Sequence, residues 1–99
     1  MKIINTKLND VKIIENNIFK DDRGLFFESY NKSCFSNQIK KDISFVQDNH
    51  SKSKMNVVRG LHYQIPPKAQ GKLVRVLKGQ ILDVVVDLRK TSSTFAKWI

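Results

Sequence analysis

Apolar and polar residues alternate in short runs along most of the chain, the period-two pattern of half-buried strands. Residues 2–4 and 11–14 open the chain as two short β-prone stretches. Asp21-Asp22-Arg23-Gly24 predicts a turn, because an aspartate side chain bonds backbone two residues on and Gly24 accepts positive φ. Residues 25–30 then read as a strand. Between Asn31 and Ile39 the pattern loosens to a helix, with Asn31 or Ser33 as its cap and Cys34, Phe35 and Ile39 as a narrow apolar stripe. Residues 44–49, 57–63, 72–78, 81–88 and 95–99 follow as separate β-rich runs. Their breaks fall at 51–54, Pro66-Pro67, Gly71, Gly79 and 91–93, with Gly79 supplying the left-handed residue of a short hairpin connection. Several short strands at this spacing predict an all-β antiparallel sandwich or barrel with at most one short helix.

No repeat or linker divides the chain, so residues 1–99 read as one domain. A chain of 99 residues and 11.5 kDa hides roughly 65% of its surface on folding, enough for one modest core. The last segment, 95–99, is strand-like and apolar with no closing turn or polar tail. It reads as an open edge that invites association, and the domain reads as cut short after Ile99.

Polar residues inside strong strands carry the chemical interest, since burying them without a partner is costly. In 57–64, alternation puts Arg59, Leu61 and Tyr63 on one face and Gly60, His62 and Gln64 on the other. A bulge at Gly60 would swing Arg59 toward the same cavity as His62. His62 reads either as a hydrogen-bonded core histidine, the ordinary case for a lone histidine, or as a cavity base, a reading that its arginine and glycine neighbours raise. Lys72 shares a face with Val74 and Val76, so it either snorkels to water at a strand end or points into a polar cavity. Asp83 shares a face with Ile81, Val85 and Asp87. It is either solvated or paired, with Lys72 across the Gly79 hairpin as the plausible partner. Gln47, Asp48 and Asn49 cluster donors and acceptors at a strand end, while His50 reads as an exposed loop residue.

Charge adds one constraint. Eighteen lysines and arginines against nine acids give +9 at neutral pH, a balance that favours anionic partners. The basic residues are scattered, the longest run being Lys40-Lys41, and no aromatic residues interleave with them in a repeated block, so a dedicated nucleic-acid surface is disfavoured. No apolar run approaches the roughly 20 residues that span a bilayer, and the first residues lack a signal-peptide apolar region. One cysteine, Cys34, permits no internal disulfide, and no Cys/His spacing makes a zinc site. A cytoplasmic domain is the expectation.

Five ordered blocks, 19–28, 45–51, 58–64, 70–76 and 83–89, together resemble the dTDP-4-dehydrorhamnose 3,5-epimerases. The resemblance covers nearly the whole chain and the N-terminal half or so of a usual member. It implies a cupin-type antiparallel jelly roll and a homodimer that exchanges N-terminal strands. It also implies a dTDP-linked 4-keto-6-deoxy sugar as substrate, inverted at C3 and C5 without metal or organic cofactor. A C4 ketone acidifies both neighbouring C–H bonds, so the reaction needs a base near neutral pKa, a cation at the developing oxyanion and an acid on the opposite ring face. Histidine suits the base. By the resemblance His62 is that base and Lys72 the enolate-stabilising, substrate-contacting cation. Gln47, Asp48, Asn49 and Arg59 contact substrate, and Arg23 and Glu28 of the exchanged arm meet the nucleotide. An arginine fork fits a phosphate well. Asp83 stands behind them as a supporting residue.

Many cupins hold a metal through two histidines and a glutamate. Here the comparable stretch is His62-Tyr63-Gln64 with Lys72 further on, and an imidazole, an amide and an ammonium make no metal site. The family's tyrosine acid, its histidine-orienting aspartate and a further histidine belong to the half the resemblance does not cover; Tyr30 and Tyr63 do not occupy the acid position. Impaired activity of the 99 residues alone is therefore expected. The alternatives are a related sugar-nucleotide 3- or 5-epimerase or ketoisomerase, and a non-catalytic, truncated nucleotide-binding module.

Overall fold

The computed structural model describes residues 1–99, which divide into two compact units: 1–46 with 83–99, and 47–82. Paired β structure is confined to the first. There β1 (Lys2–Asn5) and β2 (Lys12–Glu15) pair antiparallel, with Ile3 opposite Ile14 and Ile4 opposite Ile13. Thr6 staples the loop between them. Its hydroxyl lies 2.9 Å from the carbonyls of Leu8 and Val11 and accepts the Leu8 N–H at 3.1 Å, and the loop turns Leu8 inward until it is fully buried.

β3 (Phe19–Asp21) and β4 (Gly24–Phe26) form the hairpin predicted around Asp21–Gly24, with Asp21 opposite Gly24 and Gly24 at φ +135°. The strand expected over 25–30 ends at Phe26, because no ladder partner continues past Phe19. The helix falls where the pattern put it. α1 spans Lys32–Ile39, and the Asn31 side chain accepts the Cys34 N–H at 3.1 Å, satisfying one orphan donor of the first turn. Lys40 closes it in a left-handed conformation. Phe35, buried on the inner face of α1, meets Tyr30 and Phe45 in tilted and edge-on contacts with centroids 5.5–5.7 Å apart, a favourable arrangement for aromatic quadrupoles. Phe35 and Leu8 are the buried apolar residues of this unit, with Tyr30 and Phe45 packed around Phe35 at its surface.

At the far end of the sequence, 85–87 and 96–99 pair antiparallel through Val85, Asp87, Ala96 and Ile99, and Val86 lies opposite Trp98. The connection is held by Asp87, which is buried. Its carboxylate accepts from the Arg89 backbone N–H, from Arg89 Nε and Nη2 at 2.8 and 2.9 Å, and from the Ser92 and Thr94 hydroxyls at 2.6 Å each. Arg89 also reaches Asp10 in the β1–β2 loop, and Asp10 accepts from Lys41 Nζ at 2.8 Å beyond α1. Two aspartates thus wire three elements of this unit together.

Residues 47–82 contradict the strand expectations. None of 44–49, 57–63 or 72–78 joins a ladder, and of 81–88 and 95–99 only the 85–87 and 96–99 portions pair. Alternation sets a preference for extended backbone, but a strand is completed by a neighbour whose amides and carbonyls match its own. Every residue of 47–82 is exposed, and Lys68 N–H to Ile65 C=O at 2.9 Å closes a turn over Pro66-Pro67. Gly79 does adopt the expected positive φ, +88°. The chain presents 9523 Å² to solvent, whereas a closed 11.5 kDa monomer presents about 5,800 Å². It hides roughly 43% of its unfolded surface in place of the 65% expected from its length.

The Asp87 carboxyl is held well below the usual carboxylate range, chiefly by Arg89, then by Ser92 and Thr94. A depressed folded-state pKa contributes stability that is complete above the ordinary value near 3.8 and is lost as pH falls below it. Asp87→Asn is therefore expected to loosen the 85–99 hairpin at pH 7. The stability gap from the parent chain should narrow as pH falls below about 3.8. Urea titrations followed by fluorescence of the single tryptophan, Trp98, at pH 7 and pH 3 measure it.

Candidate active site

Six of the expected site residues, Gln47, Asp48, Asn49, Arg59, His62 and Lys72, lie in the 47–82 unit; Arg23, Glu28 and Asp83 lie in the other. Within 47–82 the backbone at Gly60 takes φ +118°, a conformation L side chains rarely adopt, and folds the chain under the imidazole. A Cβ at position 60 would stand 3.1 Å from His62 Nδ1 and 3.4 Å from its backbone nitrogen. The absent side chain is thus what lets the His62 ring rest on the backbone.

Gly60 makes no bulge, because 57–63 joins no ladder, and Arg59 is bonded instead to the loop residues Lys52 and Ser53. Arg59 Nε donates to Ser53 Oγ at 3.0 Å and Nη2 approaches the Lys52 carbonyl at 3.5 Å, tying the arginine to the loop that precedes it. Gln47 Nε2 donates to Asn49 Oδ1 at 3.0 Å, a local bond that leaves Asp48 free to face solvent. His62 and Lys72 are both exposed, so neither is the buried, cavity-lining group that alternation allowed. The reason is the same as for the lost strands: alternation assigns a side chain to a face, and enclosure requires a layer over that face.

In the other unit Arg23 lines an open groove of about 510 Å³ with Phe19, Lys20, Leu25 and Phe26. The Asp21 carboxylate accepts from Arg23 N–H, Nε and Nη2 at 2.9, 3.1 and 2.6 Å. Glu28 accepts from Asn31 Nδ2 at 3.2 Å beside the cap of α1. A second groove, about 370 Å³, lies among Lys7, Leu8, Ala96, Lys97 and Trp98. His62 lines neither groove.

Sequence reasoning missed Ser53 as the anchor of Arg59, and the Asp10–Arg89–Asp87 wiring. One signal was available for the second. Asp21/Arg23 and Asp87/Arg89 share an i, i+2 spacing, and both make the same three bonds, from the arginine's own N–H, Nε and Nη2. It also missed how unevenly charge is distributed. Residues 47–82 hold seven lysines and arginines against Asp48 alone, +6 of the chain's +9.

The family model for dTDP-4-dehydrorhamnose 3,5-epimerase matches residues 5–99. The chain belongs to that family. It is 52% identical over all 99 residues to the dTDP-4-dehydrorhamnose 3,5-epimerase of Shigella flexneri, covering 55% of that protein. The crystal structure of the Elizabethkingia anophelis epimerase superposes on the whole chain with a TM-score of 0.93 at 48% identity, over 54% of its own length. That of Legionella pneumophila, solved in complex with dTDP-4-keto-L-rhamnose, gives 0.92 at 47% identity over 52%. The chain therefore spans about half the length of the relatives it matches and forms an N-terminal portion of the epimerase jelly roll. Its unpaired segments follow the backbone course of the family's fold although none of 47–82 joins a ladder.

The seat of the His62 ring generates a prediction. Gly60→Ala should displace the imidazole and shift its Cε1–H and Cδ2–H signals in proton NMR spectra. Gly71→Ala, where an added Cβ meets nothing within 4 Å, should leave them in place. The chain has two histidines, so His50→Gln assigns the signals.

Proposed function

We propose that these 99 residues carry the base-bearing half of a dTDP-4-dehydro-6-deoxyglucose 3,5-epimerase site of dTDP-L-rhamnose biosynthesis. The observation that carries the reading is the match over residues 5–99, supported by the backbone likeness to a Legionella enzyme that holds a dTDP-4-keto sugar. In this reading His62 takes the proton from C3 or C5. The electron pair of the broken C–H bond delocalises onto the C4 oxygen, and the Lys72 ammonium meets the enolate charge that develops there. Arg59, Gln47, Asp48 and Asn49 hold the substrate, and Arg23 and Glu28 hold its nucleotide. Asp83 is a supporting residue. The +6 of residues 47–82 draws in the diphosphate. No metal or organic cofactor takes part.

The same reading makes the working enzyme a cytoplasmic homodimer with exchanged N-terminal strands. No helix of the chain is long and apolar enough to cross a membrane. It also treats the two compact units as parts of one jelly-roll domain, the N-terminal part of the complete fold.

A base without an acid on the opposite ring face returns hydrogen to the face it came from. Incubated with dTDP-4-dehydro-6-deoxyglucose in deuterated water, the chain is expected to admit deuterium slowly at C3 or C5 with retained configuration. His62→Ala should abolish the exchange. Removal of the acid step alone slows an epimerase by about 10²–10⁴-fold. Exchange unaffected by His62→Ala would refute the assignment of the base. Rapid formation of the inverted sugar would refute the division of labour. Binding of dTDP that Arg59→Ala leaves unchanged, with no exchange at all, would favour a non-catalytic module.

A further inference from the structure

In two arginines of the chain, the guanidinium edge made by Nε and Nη2 is spent on an aspartate. Arg23 gives it to Asp21 and Arg89 to Asp87, so each positive charge is matched within its own loop. Arg59 engages the same edge differently. Its Nε donates to the Ser53 hydroxyl at 3.0 Å and its Nη2 approaches the Lys52 carbonyl at 3.5 Å, and both acceptors are uncharged. Arg59 forms no ion pair. The backbone builds this seat. Met55 and Asn56 turn the chain between the two partners, with Asn56 at φ 63°, a left-handed conformation that asparagine accepts more readily than most residues. The turn brings Arg59 back alongside residues 52–53.

A guanidinium carries five N–H donors in one rigid plane. Closing the Nε and Nη2 edge leaves both Nη1 protons and the second Nη2 proton for an anion, and that outer edge is a fork of the shape a phosphate accepts. We propose that Ser53 is a positioning residue for Arg59. Its hydroxyl, with the Lys52 carbonyl, fixes the guanidinium through uncharged contacts and leaves the outer edge and the full charge for the diphosphate of the nucleotide sugar. The inference rests on the reading of Arg59 as a substrate contact, and adds to it a residue that touches no substrate itself. Serine suits this task where other residues do not. An aspartate at this position would hold the guanidinium as Asp21 holds Arg23, but would cancel the charge that an anion needs. An alanine would let a long, exposed side chain sample its rotamers, so that each binding event would have to order it. Ser51, in the same loop, holds no part of Arg59 and serves as the control.

The test titrates the 99-residue chain with dTDP by calorimetry and follows the Arg59 Nε–H signal in proton–nitrogen NMR spectra, with Arg59→Ala assigning that signal. Ser53→Ala is expected to weaken dTDP binding by about three- to tenfold. It should also move the Arg59 Nε–H signal and speed its exchange with water. Ser53→Thr keeps a hydroxyl and should restore both, while Ser51→Ala should change neither. In the Arg59→Ala background Ser53→Ala should cost nothing further, because a residue that acts through Arg59 has nothing left to position. A serine with a merely structural role would weaken binding there too. Two outcomes overturn the inference alone: an Arg59 signal that Ser53→Ala leaves in place, or dTDP binding that Arg59→Ala weakens and Ser53→Ala does not. Binding of dTDP that Arg59→Ala leaves unchanged, or no binding, overturns the reading of Arg59 and this inference with it.

Discussion

A helix satisfies its backbone from within, but a strand depends on its neighbour. That asymmetry governs this chain. Every element whose partner lies inside the 99 residues is formed: β1 with β2, β3 with β4, 85–87 with 96–99, and α1 by its own turns. The segments between 47 and 82 have equally strong β sequences and no ladder. Their course still matches a solved epimerase, so the backbone takes its path without a ladder to hold it. Propensity and partner are separable requirements, and here they are separated along one polypeptide.

The acidic residues follow the same division. Eight of the nine lie in 1–46 and 83–99, and several are spent on wiring. Asp87 gathers five donors in the 85–99 connection, Asp10 bridges Arg89 and Lys41, and Asp21 clasps Arg23. Exposed pairs of this kind contribute little each. Asp87 differs because it is buried and its five bonds tie three residues of one loop, Arg89, Ser92 and Thr94. With eight of the nine acids in the other unit, residues 47–82 carry a net +6.

What was legible in the sequence divides along the range of the interactions. Local signals were reliable: Asn31 as a cap, Phe35 on the buried face of α1, Asp21–Gly24 as a hairpin turn, and Gly24 and Gly79 at positive φ are each decided within a few residues. The family was legible for a related reason, since motif blocks are strings of local identity. Ladders and enclosure were not. Whether Leu61 or His62 faces a core depends on strands far away in sequence, and alternation names the two faces without naming which is covered. Arg59 shows the limit well. The bulge expected at Gly60 has no ladder to sit in, and the Ser53 hydroxyl that takes the Arg59 guanidinium lies in a polar loop with no pattern to mark it.

Packing and chemistry then make one demand of residues 47–82. Two unit charges about 4 Å apart interact by about 1 kcal/mol in water and about 4 kcal/mol at an effective dielectric of 20. An ammonium such as that of Lys72, fully hydrated, does little for an enolate; the same group with water excluded becomes a strong stabiliser. The layer that would bury Val58, Leu61, Val74 and Leu77 is also the layer that would exclude water from His62 and Lys72, because these residues share the same two segments. If His62 and Lys72 are the reactive pair, as proposed, their chemistry waits on the covering of the two segments that bear them.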